Sequence, residues 1–411
     1  MSGYLTLRAS PAGEVAAVVG PRLLAGIATG PGLVEHRSLW PAPRLLDATQ
    51  LLALLEEVTV HGRGGAGFPF GRKLRAAVES GRRRTVVVNA AEGEPASAKD
   101  CVLLEAVPHL VLDGAEAVAR ALDVPVVDVV VGHDRPAARH ALDVALAERG
   151  GSDVELEVHV SRTPFIGGQE QAVLELLEGR DNLPVTAWAP AAVSGVRGRP
   201  TLLSNAETFA QVAALLALGP AAYAELGIPG EPGTTLLTVA GDGPHGAVLE
   251  VPYGVPLARV LEYCGYDPAS AVLLGGYHGT WLPAGGAARL PVSRRGLAAA
   301  GLTLGAGVVL PLDPHTCPVS VTAGVAAYLA VMSAGRCGPC RHGLPALAEA
   351  VTGLADGDGP AATRRVRELA GLVRGRGACA HPDGTVRLVR SMLDAFPSEV
   401  GAHEAGVCTV I

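Results

Sequence analysis

Along the first half of the chain, short aliphatic runs alternate with stretches of helical spacing. Residues 85–88 and 125–131 are continuous and rich in valine, the second closed by Gly132-His-Asp, so each reads as a buried strand. Residues 103–122 repeat apolar positions at helical spacing, and 169–178 read as a short helix opened by Gly167-Gly168. This alternation over 45–215 predicts an α/β layer on a parallel sheet. The seam Gly227-Ile-Pro-Gly-Glu-Pro-Gly233 then breaks the pattern. Beyond it come strand runs at 235–240, 247–251, 272–274 and 308–310, with one helical stretch at 257–263, which predicts a small α+β unit of mostly antiparallel strands. From Pro318 strand signals vanish, and 319–332, 344–354, 361–373 and 385–396 read as four helices of a bundle-like unit. The expected units are 1–230, 231–316 and 317–411, in keeping with a chain of 411 residues, too long for one core.

Composition narrows the class. With 49% hydrophobic residues, 4% aromatics, 53 Gly and 31 Pro, the chain is globular, aliphatic in its core and rich in turns. A net charge of -7 argues against nucleic-acid binding, and the basic run Arg82-Arg83-Arg84 reads as a solvated cluster at a helix end. The longest apolar stretch, 319–332, falls short of the roughly 20 residues of a membrane span. The start, Met1-Ser-Gly-Tyr-Leu-Thr-Leu-Arg8, lacks the basic-then-apolar order of a signal peptide. Seven cysteines without framework spacing favour thiol or metal chemistry over disulfides, and the cytoplasm is the expected compartment.

The basic residues point to the chemistry. Lys and Arg total 33, yet only Lys73 and Lys99 are lysines, and both close glycine- or acid-rich stretches. The first stretch is Gly62-Arg63-Gly64-Gly65-Ala-Gly67-Phe68-Pro-Phe70-Gly-Arg-Lys73. Closely spaced glycines let backbone N–H groups approach an anion, and Arg63 and Lys73 add charge on either side. The second, Asn89-Ala-Ala91-Glu92-Gly-Glu94-Pro95, follows an apolar strand, where open α/β sheets place ligands. The third, Phe165-Ile-Gly-Gly168-Gln169-Glu170, runs glycines into a helix N-terminus. Each alone also suits a tight turn, an acidic surface turn or a plain helix cap. The fourth, Cys337-Gly-Pro-Cys340-Arg, is answered by Cys379; this spacing suits an iron–sulfur cluster, with zinc or a redox dithiol as alternatives.

Taken together and in this order, the motifs resemble the NADH-binding flavoprotein subunit of respiratory complex I, the family of NADH-quinone oxidoreductase F subunits, and its diaphorase relatives in hydrogenases and formate dehydrogenases. The resemblance covers about 45–400. It implies a Rossmann-like FMN and NADH domain, a β-grasp domain of the soluble-ligand-binding (SLBB) type and a helical domain holding a [4Fe-4S] cluster. Hydride then passes from NADH to FMN, and electrons leave singly to a ferredoxin-like or other iron–sulfur acceptor subunit. The positions matching flavin and nucleotide contacts are Gly62, Arg63, Gly64, Gly65, Gly67, Phe68, Lys73, Asn89, Glu92, Glu94, Gly168, Gln169, Glu170, Ser204 and Asn205. Glu92 and Glu94 are expected to orient the nicotinamide, Phe68 to stack on a ring, and Lys73 to meet the flavin phosphate. Lys99 is expected to pair with a carboxylate and hold the acidic turn.

This sequence also departs from the family pattern. Phe70 replaces a threonine, Ala91 an aspartate, Phe165 a tyrosine, Gln169 a glutamate and Ser204 an asparagine. In the cluster motif, Ala334 stands where the family has its first cysteine. Cys337, Cys340 and Cys379 are then the expected ligands, with Ser333, His342, His381, Cys317 and Cys408 as candidates for the fourth; the alternatives are a flavoprotein that has lost its cluster, or a degenerate non-catalytic paralogue that docks partner subunits. Cys101 and Cys264 read as buried packing residues.

Overall fold

The computed structural model describes residues 4–10, 13–81, 83–241, 246–268 and 270–410. Its first layer is a four-stranded parallel sheet in the order Glu155–Ser161, Val126–Gly132, Thr85–Ala90, Thr201–Asn205. Val86, Val87 and Val88 are fully buried, as a central parallel strand covered on both faces requires. The register sets Asn89 between Val130 and Asn205, so the polar residues that end the two inner strands meet at one edge of the sheet.

The apolar stretch at 103–122 forms two helices, Lys99–Ala106 and Pro108–Ala121, where its periodicity predicts one. Pro108 supplies no N–H and restricts the residue before it, and Val107 sits at φ -142, outside the helical region. The second of these helices lies backbone to backbone against Ala206–Ala224. A Cβ on Gly114 would come within 1.9 Å of the Phe209 carbonyl oxygen, so only glycine fits there. Beside the sheet, Arg84 donates to the carbonyls of Ala77 and Val78 and caps the helix Phe70–Glu79. Arg82 lies outside the described residues.

The second layer is a seven-stranded mixed sheet, ordered Tyr4–Ser10, Gly13–Val18, Ala247–Pro252, Thr234–Val239, Val308–Pro311, Val272–Leu274, Thr280–Leu282. Its first two strands fall in the stretch assigned from sequence to the unit of the parallel sheet. Instead Ala16 and Ala17 pair in parallel with Ala247 and Val248, and the fully buried Ala17 seals that edge. The helix Leu257–Tyr263 packs Leu257, Val260 and Leu261 into this sheet's own core.

Five helices follow: Pro318–Val331, Leu344–Ala355, Pro360–Val373, His381–Ala395 and the short Pro397–Glu404. The first four match the four helical stretches of the sequence, and the fifth begins just beyond them. They share one core with Leu273 and Trp281 of the second sheet. Among the described residues, no helix is long and apolar enough to cross a membrane.

Candidate functional site

The glycine loop is pinned at its base and open at its tip. Gly62 donates to the Phe68 carbonyl at 2.9 Å and Phe70 to that of Val60 at 2.8 Å, while Arg63 N–H donates to Thr208 Oγ1 at 3.0 Å. Among the described residues, the N–H groups of Gly64, Gly65 and Ala66 meet no protein acceptor. Gly65 and Gly67 hold φ of +104 and +66, and a Cβ on Gly67 would run into the Arg294 guanidinium. Unpaired N–H groups on a loop that side chains cannot crowd form an anion cradle. The Arg63 side chain is 3% exposed, 3.7 Å from Glu207 and over the Tyr253 ring, and its Nε and Nη1 have no hydrogen-bond partner among the described residues.

The acidic turn places its two carboxylates differently. Glu92, at φ +41, accepts from the Ser97 hydroxyl at 2.6 Å and from the N–H groups of Asp100 and Cys101 at 3.0 and 2.8 Å. Both of its oxygens are engaged at the start of the helix Lys99–Ala106. Glu92 thus shapes the turn while still lining the cleft. Glu94 stands in the cleft wall, accepting from Tyr277 N–H at 2.9 Å and Ala96 N–H at 3.3 Å. Burial pushes its carboxyl up to about 7, against the pull of those two N–H groups.

That value predicts a pH signature. Below about pH 7 Glu94 is neutral; above it, an anion faces any phosphate or reduced ring bound beside it. The KM for NADH is expected to climb several-fold from pH 6 to 8, and Glu94→Gln to hold it flat. A variant with the parental profile would release Glu94 from the site.

Behind the turn, Lys99 is 3% exposed and reaches Asp100 at 2.9 Å, Glu207 at 3.1 Å and Asn205 Oδ1 at 2.8 Å, the carboxylate pairing expected of it. Burial works to lower its pKa, but the carboxylates of Asp100, Glu207 and Glu92 raise it further, so it stays charged. Asn205 donates to the Asn89 carbonyl and to Asp100, and caps the helix Ala206–Ala224. Asn89 donates to the Gly168 carbonyl at 2.7 Å, and Gln169 caps Glu170–Leu177 by accepting from Gln171 and Ala172. Lys73 donates to Glu170 at 3.2 Å and to the Leu203 carbonyl at 3.1 Å. Ala91 is buried among Val87, Val130 and Leu203, so the position that carries an aspartate in the family has become part of an apolar cluster.

All fifteen positions named from the sequence as cofactor contacts line one cleft of about 660 Å³. Its far wall was not legible, because Gly275, His278, Thr303, Gly305 and Ala306 come from the second sheet and Arg387 from the helices. A larger hollow of about 880 Å³ shares Gly65, Ala66 and Gly67 but lies on the other side of the loop, with Arg72, Arg75, Arg294 and Arg295 around it and none of the acidic turn. The chemistry points to the smaller one. Its volume suits a flavin nucleotide, and its glycine cradle and unpaired N–H groups suit the phosphate.

The same cleft extends to Cys379, Ala380 and His381. Phe165 stands edge-on to His278 at 4.9 Å and to His381 at 5.5 Å, and the two imidazoles meet at 3.1 Å, so an unbroken ring stack joins the cleft to the cysteine loop. Burial, with His381 and Arg387, lowers the pKa of His278 to about 3 and keeps it neutral. Of the thiols, Cys340 is buried and Cys337 and Cys379 partly exposed. Backbone N–H groups of Ala378 and Cys340 bond the Cys337 sulfur, that of Gly335 bonds Cys340, and that of His381 bonds Cys379. Burial outweighs those contacts at Cys340 and Cys379, whose thiols are raised, so the fit of the three cysteines to an iron–sulfur cluster rests on their mutual proximity and on the place of Cys379 at the end of the cleft.

The fourth-ligand candidates separate. His381 has both ring nitrogens engaged, by His278 and by the Leu329 carbonyl at 2.8 Å. Cys317 precedes the helix Pro318–Val331 and Cys337 follows it, so about 21 Å of helix lies between them. Cys408 lies with Cys317. Ser333 donates to the Cys340 carbonyl at 3.4 Å and is beside the site, and His342 is exposed in the turn Pro339–Gly343. Cys101 and Cys264 are buried and free, as expected.

A glycine-loop anion cradle joined by edge-on ring contacts to three cysteines is the arrangement of a flavin and iron–sulfur protein. Residues 55–214 match the family described as the Nuo51 FMN-binding domain, and 320–403 match the NADH-ubiquinone oxidoreductase-F iron-sulfur binding region. The NADH-quinone oxidoreductase F subunit of Salmonella typhimurium is 30% identical over 387 residues, covering 88% of this chain and 85% of the relative. A second F subunit, from Rhizobium meliloti, is 29% identical over 387 residues, covering 90% and 92%. Among solved structures, an NAD+-reducing [NiFe]-hydrogenase in its H2-reduced state superimposes with a TM-score of 0.81 at 28% identity, over 93% of this chain and 67% of that one. The chain belongs to the family of NADH-quinone oxidoreductase F subunits.

Proposed function

We infer that this chain oxidises NADH at FMN held in the 660 Å³ cleft and passes the electrons through an iron–sulfur cluster on Cys337, Cys340 and Cys379. The observation that carries this reading is the continuity of the cleft, which runs from the glycine cradle to Cys379. Bound FMN supplies the conversion of a hydride pair into single electrons. The protein's part is positioning. The N–H groups of Gly64, Gly65 and Ala66 receive phosphate, and Lys73, two of whose protons are already placed, offers its third. Phe68, 47% exposed, is the stacking surface. Glu92 and Asn205 hold the turn, and Glu94 faces the reacting ring.

Finer organisation follows the same reading. The strand order of the second sheet, with two parallel central strands and the helices Leu257–Tyr263 and Arg294–Ala299 packed into its core, supports a β-grasp unit over 231–316 of the soluble-ligand-binding type, extended by the N-terminal hairpin. A flavin unit over 1–230 and a four-helix cluster unit over 317–411 complete it, with Pro397–Glu404 appended. Partly exposed Cys337 and Cys379 put the electron exit at the surface, where a ferredoxin-like or other iron–sulfur subunit would dock. This suits a peripheral, cytoplasmic subunit of a larger assembly.

Lys73→Ala tests the assignment of the cleft. Losing a charge-assisted hydrogen bond of about 1.5–3 kcal/mol is expected to raise the FMN Kd roughly ten- to a hundredfold by fluorescence titration. An unchanged Kd would move the phosphate elsewhere.

A further inference from the structure

A second set of metal-binding side chains lies away from both the cleft and the cluster loop. Cys317, Glu399, His403 and Cys408 bring one sulfur, oxygen or nitrogen atom each to within 4.8 Å of all the others. The Cys317 sulfur is 3.7 Å from Glu399 Oε1 and 3.3 Å from His403 Nε2. Glu399 Oε1 is in turn 3.3 Å from that nitrogen and 3.4 Å from the Cys408 sulfur. A tetrahedral zinc ion with bonds of about 2.3 Å to sulfur and about 2.0–2.2 Å to nitrogen and oxygen has edges of roughly 3.3–3.8 Å. Four of the six edges already match, at 3.3–3.7 Å, and the two others lie within 4.8 Å.

The surroundings prepare each ligand. His403 Nδ1 lies 2.9 Å from the Ala355 carbonyl, and donating there leaves the Nε2 lone pair facing the other three groups. Glu399 and His403 are one turn apart on Pro397–Glu404 and share a face. Thr409 holds the Glu399 carboxylate in place, its Oγ1 donating to Oε2 and its N–H to Oε1 at 3.2 Å, with Oε1 also turned toward the two sulfurs and His403. Cys317 holds the N-cap position of the fourteen-residue helix Pro318–Val331 and makes no side-chain cap bond there, so its sulfur is left to face Glu399 and His403. Cys317, Glu399 and His403 are 9%, 8% and 3% exposed, and Cys408 closes the partly open side.

We propose that Cys317, Glu399, His403 and Cys408 form a structural zinc site that clips the C-terminal tail to the start of the helical unit. Two thiolates, an imidazole and a carboxylate with no place for substrate make a closed, zinc-selecting set. The site joins residues 91 positions apart, so metal binding stabilises the fold by removing the freedom of a long loop. It also explains why two cysteines that look like spare cluster ligands sit a helix length from the cluster.

The test uses the full chain purified anaerobically without chelator. Elemental analysis is expected to give about one zinc per chain in addition to iron. X-ray absorption at the zinc edge is expected to find two sulfur neighbours at about 2.3 Å. Cobalt(II) put into zinc-depleted protein is expected to give the intense visible bands of a tetrahedral thiolate site. Cys408→Ser and His403→Ala are each expected to cut retained zinc at least tenfold after dialysis while leaving FMN and iron unchanged. Should His403→Ala fail to fold, the parent and Cys408→Ser decide. Zinc-free parent protein whose mass spectrum shows a Cys317–Cys408 disulfide would overturn the proposal, as would full zinc in Cys408→Ser.

Discussion

Lys99→Met is expected to destabilise the folded chain by about 3–5 kcal/mol, a large share of a domain's total stability. The ammonium lies in a fully enclosed site with Asp100 at 2.9 Å, Glu207 at 3.1 Å and Asn205 at 2.8 Å. Removing it leaves Asp100 without a cation and Glu207 with only Arg63 at 3.7 Å. Asp100 also accepts from Asn205, and Glu207 accepts from Leu236 N–H at 3.0 Å, so the loss spreads to the cap of Ala206–Ala224 and to the second sheet. Lys99→Arg is not expected to rescue, because a planar fork cannot replace a compact ammonium among three close acceptors. Urea unfolding at fixed FMN concentration measures the effect, since bound flavin shifts apparent stability. A change below about 1 kcal/mol would mean the cluster of charges is already solvated.

The second large effect concerns iron. Cys340 is buried and, through burial and the adjoining Cys337, its thiol is pushed up to about 12 in the metal-free protein. Cluster assembly reverses that by binding the thiolate. With Ala334 in place of the first family cysteine, Cys340→Ala leaves only two thiolates, and iron is expected to fall to near zero. Ala334→Cys restores the fourth and is expected to slow iron loss to a chelator at least tenfold. Iron and sulfide analysis of both variants checks this. Full iron in Cys340→Ala would place the ligands elsewhere.

The sequence made some of this legible and hid the rest for identifiable reasons. The helix 257–263 and the strand 272–274 were readable to the residue because Gly and Pro punctuate them. The strand Glu155–Ser161 was not seen, since an edge strand alternating Glu, Leu, Glu, Val and His carries no apolar run. The glycine loop and acidic turn were visible as local motifs. The wall opposite was not, because Gly275 and His278 reach the cleft through tertiary packing. The place of Glu92 after a strand was legible, but the three donors that fix its carboxylate at the start of Lys99–Ala106 come from the folded turn and were not. That Cys317 stands a helix length from Cys337 and beside Cys408 was not legible either, because spacing along the chain says nothing of a helix lying between.

The most direct test of the central claim is an anaerobic NADH titration of the purified chain, followed by flavin absorbance and low-temperature EPR in the same samples. Bleaching of the flavin band together with a reduced iron–sulfur signal is the predicted result. Flavin that bleaches while no cluster signal grows, or protein that NADH leaves unchanged, would contradict electron flow from the cleft to Cys379.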